Sequence, residues 1–385
     1  MKKISLYTFA VILLVGGKSF AQEERNRVIT TAASTLMIAA DARAAGLGDQ
    51  GVATSADAYS QQWNPAKYVF VESKQGLGVN YTPYLSELVN DIFLGNVTYY
   101  NRISDRSAFG ASLKYFSMGN IEARDYPDEV ARILSPNEFT LDLSYALKLS
   151  EHFSMAVAGR FLRSDLKIAE LDPDASAANT FGVDVSAFYQ SDRITFTQFD
   201  GRWRAGVNIA NIGPKIKYDA GGQENFIPTN LKLGGGFDFI LDNSNRIGTY
   251  LEFNKLLVPT PKDFDNDGDR DAEDIQEYNS IGAIEGIFKS FGDAPDGFSE
   301  ELKEVTYAIG AEYVYEEVFS LRTGYFHESP EKGSREFISF GAGFRHNIVD
   351  IDLSYLFSTS EVVSPLEGTL RFGLTFNFGE QYAQY

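Results

Sequence analysis

Large apolar residues alternate one by one with polar residues over long stretches of the sequence. The segment from Thr369 to Phe378 reads TLRFGLTFNF, so its leucines and phenylalanines share one face while Arg371, Thr375 and Asn377 lie on the other. Residues 349–357 and 139–148 repeat the pattern. A period of two residues is typical of a β-strand with one apolar and one polar face. The sequence therefore predicts amphipathic strands.

Fourteen segments carry this pattern, and most have ten or more residues. They span residues 75–84, 91–103, 107–118, 138–149, 152–165, 178–190, 202–212, 228–241, 246–256, 303–315, 318–328, 335–345, 348–358 and 367–378. Alternation alone fits a soluble sandwich, whose apolar face is internal, and a membrane barrel, whose apolar face meets lipid. Soluble strands have about 5–6 residues, whereas tilted membrane strands have about 9–11. Strand length therefore favours the barrel.

The connections between these segments alternate between short and long. The short ones read ISDRS, LSEH, LDNSN, YEEV and RHNI, and the long ones include GNIEARDYPDEVARILSP and the forty-odd residues after Leu256. Only QSDRITFTQFDGR departs modestly from this alternation. Short periplasmic turns opposite long extracellular loops are typical of outer-membrane barrels. We predict an all-β fold, a transmembrane antiparallel β-barrel of about 14 strands over residues 74–379, with a tail at 380–385 and both termini periplasmic.

Residues 29–73, which make up most of the segment 22–73 before the barrel, do not alternate. They are rich in Ala and Gly, with short helical stretches and a turn at Asn64 and Pro65. In a barrel of about fourteen strands, side chains alone do not necessarily fill the lumen. We therefore predict that this segment is an N-terminal hatch, or plug; a periplasmic extension is the alternative.

The first residues have the form of an export signal. Lys2 and Lys3 precede an apolar run, and the small residues Ser19 and Ala21 follow it. The run has about 14 residues, fewer than the roughly 20 that a spanning helix needs. The pattern predicts a signal peptide over residues 1–21 that is cleaved after Ala21.

Composition removes several functional classes. The absence of cysteine excludes disulfides, thiol nucleophiles and cysteine-bound zinc. The formal charge is −19, and loss of the three lysines in residues 1–21 makes it −22, which argues against a nucleic-acid partner. GxSxG, phosphate-loop and HExxH motifs are absent, and the three histidines lack catalytic or metal spacing. Inward-facing acids such as Asp142 are expected to pair with inward arginines such as Arg160, so we predict no enzymatic activity.

The longest loop, residues 256–302, contains the acidic stretch DFDNDGDRDAED at residues 263–274. The pattern D-x-[DN]-x-[DN]-G places oxygens at alternate positions, and its Gly permits the sharp turn that wraps one calcium ion. The predicted Ca²⁺ ligands are Asp263, Asp265, Asp267, Asp269 through its backbone carbonyl, Asp271 directly or through a water, and Asp274. Asp274 replaces the usual Glu and no long helix precedes the loop, so binding is expected to be weaker or dockerin-like. A solvated acidic loop is the alternative.

An apolar stripe follows the acidic stretch in the same loop. It consists of Ile281, Ile284, Ile287, Phe288 and Phe291, which have helical spacing. A stripe of this kind either packs into the barrel mouth or contacts a partner protein. Packing is the commoner outcome, but a position at the rim also makes the stripe a candidate contact for a translocon or its cargo.

Two sets of residues carry a family resemblance. The turn GLGDQGVA followed by WNPA looks like the hatch of FadL-type transporters, in which an NPA triplet recurs; here it is Asn64, Pro65 and Ala66. Further segments resemble the PorV family, also described as LptO, the FadL-like outer-membrane component of the type IX secretion system of Bacteroidota. These segments are FLGNVTYYNRISDRSAFGASLKYFSMGNIE, GVNIANIGPKIKYD, LEFNKLLVPTP, GIFKSFGDAPDGFSEELKEVTYAIGAEYVY and LRTGYFHESPEKGSREFISFGAGFR, and the likeness covers nearly all of the mature chain.

The resemblance implies a location and a function. It implies a protein of the outer membrane of a Gram-negative, Bacteroidota-like bacterium, in contact with lipid. Its expected partners are the type IX translocon barrel, the C-terminal domains of secreted cargo and the surface sortase complex to which it delivers that cargo. The alternative is a FadL-like channel for hydrophobic small molecules. A channel predicts an apolar pocket beside the hatch and a lateral gap in the wall, whereas a cargo carrier predicts a plugged lumen.

Overall fold

The computed structural model describes residues 27–382 except 87, 125, 127, 167–175, 220–221, 266, 269 and 363. The predicted signal peptide lies outside the described residues. Fourteen long strands form one antiparallel sheet. They are β1 Ser73–Pro83, β2 Ile92–Ser104, β3 Ser107–Met118, β4 Asn137–Lys148, β5 Phe153–Asp165, β6 Ala178–Gln190, β7 Asp200–Ile212, β8 Asn230–Ile240, β9 Asn245–Leu256, β10 Val305–Tyr315, β11 Phe319–His327, β12 Glu336–His346, β13 Val349–Ser358 and β14 Arg371–Gln381.

The sheet closes on itself. Each strand pairs with its neighbours in sequence, and β14 pairs with β1 along the register from Ser73↔Gln381 to Tyr81↔Phe372. The predicted 14-stranded barrel is therefore confirmed. The largest change in a boundary is at β14, which begins at Arg371 instead of residue 367. The preceding Leu366 is buried against the lumen-facing Phe326, so the chain turns inward there before it pairs.

The two faces of the strands are reversed relative to those of a soluble protein. On β4, Leu141 and Leu143 are 48% and 61% exposed, whereas Asp142 between them is 3% exposed. Arg160 of β5 pairs with Asp142 at 2.5 Å, and this ion pair allows the carboxylate to be buried in the lumen. Both residues face inward, as predicted from the sequence. The apolar face is thus the lipid-facing one, which resolves the ambiguity that alternation leaves open.

Residues 39–72 lie inside the barrel and form the plug. The plug contains α1 Ala42–Ala45, α2 Ser60–Trp63 and a 3₁₀ helix, Pro65–Phe70. Its backbone is hydrogen-bonded to the wall: the N–H groups of Gly51 and Val52 each donate to Glu252 of β9 at 2.8 Å. The described residues therefore form a plug and not a periplasmic extension.

Apart from residues 191–199, the connections are longer at one end of the barrel, the long-loop end, than at the other, the short-turn end. The long loops span residues 84–91, 119–136, 166–177, 213–229, 257–304, 328–335 and 359–370. The longest loop contains α3 Ala272–Ser280, α4 Ala283–Lys289 and α5 Phe298–Lys303. One 3₁₀ helix, Ser34–Met37, precedes the plug, and another, Pro330–Lys332, lies in the loop 328–335. Two short strands, Ile121–Ala123 and Arg132–Leu134, pair within the loop 119–136. A third, Ile194–Thr195, pairs with the start of β7 and extends the β6–β7 hairpin, the connection that departs from the alternation of short and long loops. Among the described residues, no helix has the length and apolar character needed to cross a bilayer.

The chain enters the barrel from the long-loop end. Residues 27–38, which we call the strap, begin with Arg27 beside Glu300 of the longest loop. The chain then passes through the lumen and starts β1 opposite Gln381 at the short-turn end. Arg27 and Gln381 therefore lie at opposite ends of the barrel. The two termini, which were predicted to be periplasmic, lie outside the described residues. An even number of strands places the start of β1 and the end of β14 at the same end of the barrel. It does not determine the end from which the preceding segment enters the lumen.

Candidate metal site and partner surface

A cluster of buried charged side chains fixes the loop 257–304 to the barrel. Lys255 of β9 donates to Glu301 at 3.0 Å and to Glu304 at 2.6 Å. Lys332, from the neighbouring loop 328–335, donates to Glu300 at 2.7 Å and to Glu304 at 2.9 Å. The two lysines join two loops and a strand, so the base of the long loop has a defined position.

Three of the six predicted calcium ligands come together. Asp263, Asp265 and Asp274 each offer a carboxylate oxygen, and these oxygens lie within 4.8 Å of one another. The Oδ2 atom of Asp263 accepts a hydrogen bond of 2.9 Å from the N–H of Gly268, whose φ of +101° forms the sharp turn. The Phe264 N–H donates to Asp274 at 2.6 Å and closes the loop. Converging carboxylate oxygens suit a hard cation such as Ca²⁺.

Electrostatic repulsion among these carboxylates is visible at Asp265. A hydrogen bond from the Asp267 N–H lowers the pKa of the Asp265 carboxyl, but desolvation and the neighbouring Asp263, Asp267 and Asp274 carboxyls raise it more, so its pKa lies above the usual value. A bound cation would remove this repulsion.

The other predicted ligands have different positions. Asp267 is exposed and lies outside the trio, and Asp269 lies outside the described residues. Asp271 is the N-cap of α3: its Oδ1 accepts from the Glu273 N–H at 2.8 Å, and the Asp274 side chain accepts from the Asp271 N–H at 3.1 Å. The acidic stretch therefore runs directly into a capped helix, which holds Asp274 in place.

A second acidic group, Asp293 with Glu301 and Glu304, also has converging oxygens, but Lys255 is bonded to both glutamates. Burial, with repulsion from Glu304 and Glu301, raises the pKa of Asp293 to about 6. Its Oδ2 accepts from the Thr260 N–H at 3.0 Å, and its Oδ1 is buried without a hydrogen-bond partner among the described residues.

The raised pKa of Asp293 predicts a pH-dependent effect. When the pKa of a carboxyl is higher in the folded protein than in the unfolded one, the folded state loses stability as pH rises between these two pKa values. For Asp293 this range is from about 4 to about 6. Asp293→Asn keeps the acceptor for Thr260 and should stabilise the loop at pH 7.5 by about 1 kcal/mol after allowance for solvent screening, with no gain at pH 4. Protease cleavage of residues 257–304 at both pH values measures this, with Glu277→Gln of α3 as a charge-matched control. An equal effect at both pH values would contradict the electrostatic explanation.

The predicted apolar stripe is broken into two parts. α3 ends at Ser280 and α4 begins at Ala283, so Ile281 lies between two helices and is buried. The exposed fractions of Ile284, Phe288 and Phe291 are 57%, 74% and 54%. The expectation that the stripe packs into the barrel mouth is therefore wrong for these three residues, which we call the apolar face. Ile287 is partly buried.

Two further exposed apolar residues lie on α5 of the same loop. Phe298 and Leu302 are 77% and 57% exposed, and their spacing of four places them on one face of the helix. These two residues were not predicted from the sequence, although their spacing of four is a signal that could have revealed them. A cavity of about 490 Å³ lies beside the apolar face and is lined in part by Phe264 of the acidic stretch and by Phe288. The candidate metal site and the apolar face are therefore adjacent.

The hatch motif lies within the plug. Asn64 is fully buried, and its Nδ2 donates to Val52 of the plug at 3.0 Å and to Ala187 of β6 at 2.9 Å. Its Oδ1 accepts from the Ala66 N–H at 3.1 Å, and Pro65 begins the following 3₁₀ helix. The triplet thus turns the chain and attaches the plug to the wall.

The lumen at the short-turn end contains a polar cavity of about 570 Å³. Arg43 of the plug donates to Glu312 of β10 at 3.1 and 3.0 Å, and Glu312 also accepts from Arg322 at 2.7 Å. Arg322 in turn donates to Asp352 of β13 at 2.6 Å. This network joins the plug to three strands, which fits a structural role for the charges of the lumen.

Comparison with known proteins identifies one matching family. Residues 20–263, more than half of the chain, match the family model described as "Type IX secretion system protein PorV". A search of curated proteins found no significant match.

Several solved structures match most of this chain at low sequence identity. The CymD monoaromatic hydrocarbon channel matches with 14% identity and a TM-score of 0.48, covering 89% of this chain and 98% of that one. The toluene transporter TodX of Pseudomonas putida matches with 13% identity and a TM-score of 0.46, over 87% and 95% of the two chains. A FadL homologue of Pseudomonas aeruginosa matches with 13% identity and a TM-score of 0.45, over 92% and 100%.

Proposed function

Because the chain belongs to the PorV family of type IX secretion system proteins, we propose that this outer-membrane barrel binds cargo carrying C-terminal secretion signals at the translocon and delivers it to the surface sortase complex. The family match carries the proposal. The match confirms the resemblance of the sequence to this family, whose description names a protein of a secretion system.

Two features of the molecule support a role in contacting proteins. The plug occupies the lumen and is bonded to the wall through Glu252 and Glu312. The apolar face and the exposed side of α5 lie on a loop whose base is held by buried ion pairs. Clustered exposed apolar side chains on an anchored loop are typical of protein interaction sites.

Deletion of the gene in its native host tests the proposal. We expect proteins with C-terminal secretion signals to accumulate in the periplasm, and expression of the wild-type gene to restore their export. Normal export together with impaired uptake of a lipophilic compound would contradict the proposal and favour the hydrophobic channel.

The channel alternative has less support from the lumen. The cavity at the short-turn end is lined largely by charged and polar side chains, among them Arg43, Glu312 and Asp352. Apolar residues at the long-loop end of the lumen, such as Phe326 and Leu356, are covered by residues from the strap and loops. A hydrophobic substrate would therefore have to displace part of the chain.

The apolar face provides a more specific prediction. We expect the double variant Phe288→Asp and Phe291→Asp to reduce export of cargo at least tenfold while the barrel still assembles, because burying two carboxylates in an apolar interface is strongly unfavourable. Complementation of the deletion strain, with quantification of periplasmic cargo, measures the effect. Lys289→Gln, on the same short helix, is the control and should export normally. Wild-type export by the double variant would show that this face contacts neither translocon nor cargo.

We also propose that residues 263–274 bind one calcium ion, with Asp263, Asp265 and Asp274 as its side-chain ligands. Calcium is plentiful outside cells, so a site of modest affinity would remain filled and would rigidify the loop beside the apolar face. Ligand binding to the folded loop alone stabilises it by about 2.7 kcal/mol at one hundred times the Kd.

Calcium titration of the purified protein measures this directly. We expect heat of binding and protection of the loop 257–304 from proteases below millimolar calcium. Asp265→Asn should abolish both effects, because it removes one ligand charge but keeps the acceptor for the Asp267 N–H. Glu277→Gln, an equal charge change on α3, should leave them unchanged. Absence of heat and protection up to millimolar calcium would contradict the proposal.

A further inference from the structure

The strap makes its contacts with the long loops. Arg27 donates to Glu300 at 2.6 Å and to Asp296 at 3.3 Å, both in the loop 257–304. The Ala32 N–H donates to the carbonyl of Phe226, in the loop 213–229, at 2.9 Å. The strap therefore connects two separate loops before the chain descends into the lumen.

Apolar packing follows the same path. Ile29 packs against the cluster formed by Phe226, Val258 and Ile281, to which both loops contribute. Further along, Leu36 is buried with Leu162 at the long-loop end of β5. The strap thus lies between the loops as a packed element, with a charged contact at its start and apolar contacts along its length.

From this arrangement we infer that the strap is a clamp at the cell surface: the chain enters the barrel from outside, and Arg27 holds α5 and its exposed apolar side chains in position. Short turns of outer-membrane barrels face the periplasm, which places the long-loop end outside the cell. The Glu300 side chain is only 4% exposed and is bonded to both Arg27 and Lys332. Removal of Arg27 would leave a buried carboxylate with one cation fewer.

Single-cysteine variants test the location, since the chain has no native cysteine. Val28→Cys reports on the strap, Ser299→Cys on the long loop and Arg106→Cys on a short turn. The reagent is a maleimide polymer too large for outer-membrane pores, and labelling is normalised to that of each purified variant in detergent. We expect labelling of the Val28 and Ser299 variants in intact cells, and of the Arg106 variant only after the outer membrane is permeabilised. Labelling of the Val28 variant only after permeabilisation would overturn the inference, as would the reverse pattern for Ser299 and Arg106.

Charge substitution tests the clamp. Arg27→Glu should increase protease cleavage of the loop 257–304 on intact cells several-fold, whereas Arg27→Lys should remain near the wild type because it keeps the cation. Equal cleavage in the two variants would overturn the clamp. Cargo export can be measured in the same strains, so a failure of the clamp and a failure of the proposed secretion role are distinguishable.

Discussion

Replacing Gly324 with Val is expected to displace the plug and destabilise the protein by about 3 kcal/mol or more, at or beyond the upper end of ordinary overpacking. A Cβ atom at this position of β11 would lie 2.0 Å from the carbonyl carbon of Leu47 and 2.1 Å from the nitrogen of Gly48. Both are backbone atoms of the plug, which cannot rotate out of the way as a side chain can. The wall and the plug backbone therefore fit together only with glycine at this position.

Denaturant unfolding measures the loss of stability, and limited proteolysis of residues 39–72 together with conductance in planar bilayers measures release of the plug. The control is Gly159→Val, because nothing lies within 4 Å of a Cβ at this lipid-facing position of β5. Both substitutions add the same side chain to a barrel strand. Equal stability and equal resistance to proteolysis in the two variants would contradict the prediction, because they would show that the plug backbone can shift to accommodate the added side chain.

Local patterns predicted the strands and part of the candidate metal site. Alternation of side chains is a property of each strand by itself, so parity places Asp142 and Arg160 on the polar face. The strand lengths and loop lengths, which favour a barrel, make this polar face the inward one. The trio Asp263, Asp265 and Asp274 also comes from one short stretch, in which the spacing of oxygens and a turn at Gly268 are encoded together.

Features that depend on distant contacts could not be predicted in this way. Nothing near Gly51 indicates that its N–H bonds to Glu252, some two hundred residues later. The direction of the strap depends on Arg27 meeting Glu300, again far apart in sequence. The break between α3 and α4 at Ile281 interrupts a stripe with unbroken helical spacing, so periodicity alone could not reveal that the residues after it are exposed.

The second large effect is expected at Glu312, whose carboxylate joins the plug to the wall. Glu312→Gln leaves the guanidinium groups of Arg43 and Arg322 near each other with no carboxylate between them. Arg43 still contacts Asp57 at 2.7 Å and Arg322 still contacts Asp352 at 2.6 Å, so each cation keeps one partner. Removal of one partner from a buried ion pair costs about 3–5 kcal/mol, and we expect a loss near the lower end of this range because of these remaining contacts.

A matched exposed pair separates this buried effect from a general effect of charge. Glu285 and Lys289 of α4 are bonded at 2.8 Å, with side chains that are 55% and 48% exposed, so Glu285→Gln should leave stability close to that of the wild type. If Glu312 acts through Arg43, the double variant Arg43→Met and Glu312→Gln should lose less stability than the sum of the two single variants. Strict additivity would mean that Glu312 supports the wall through Arg322 alone and that the plug is held by its other contacts.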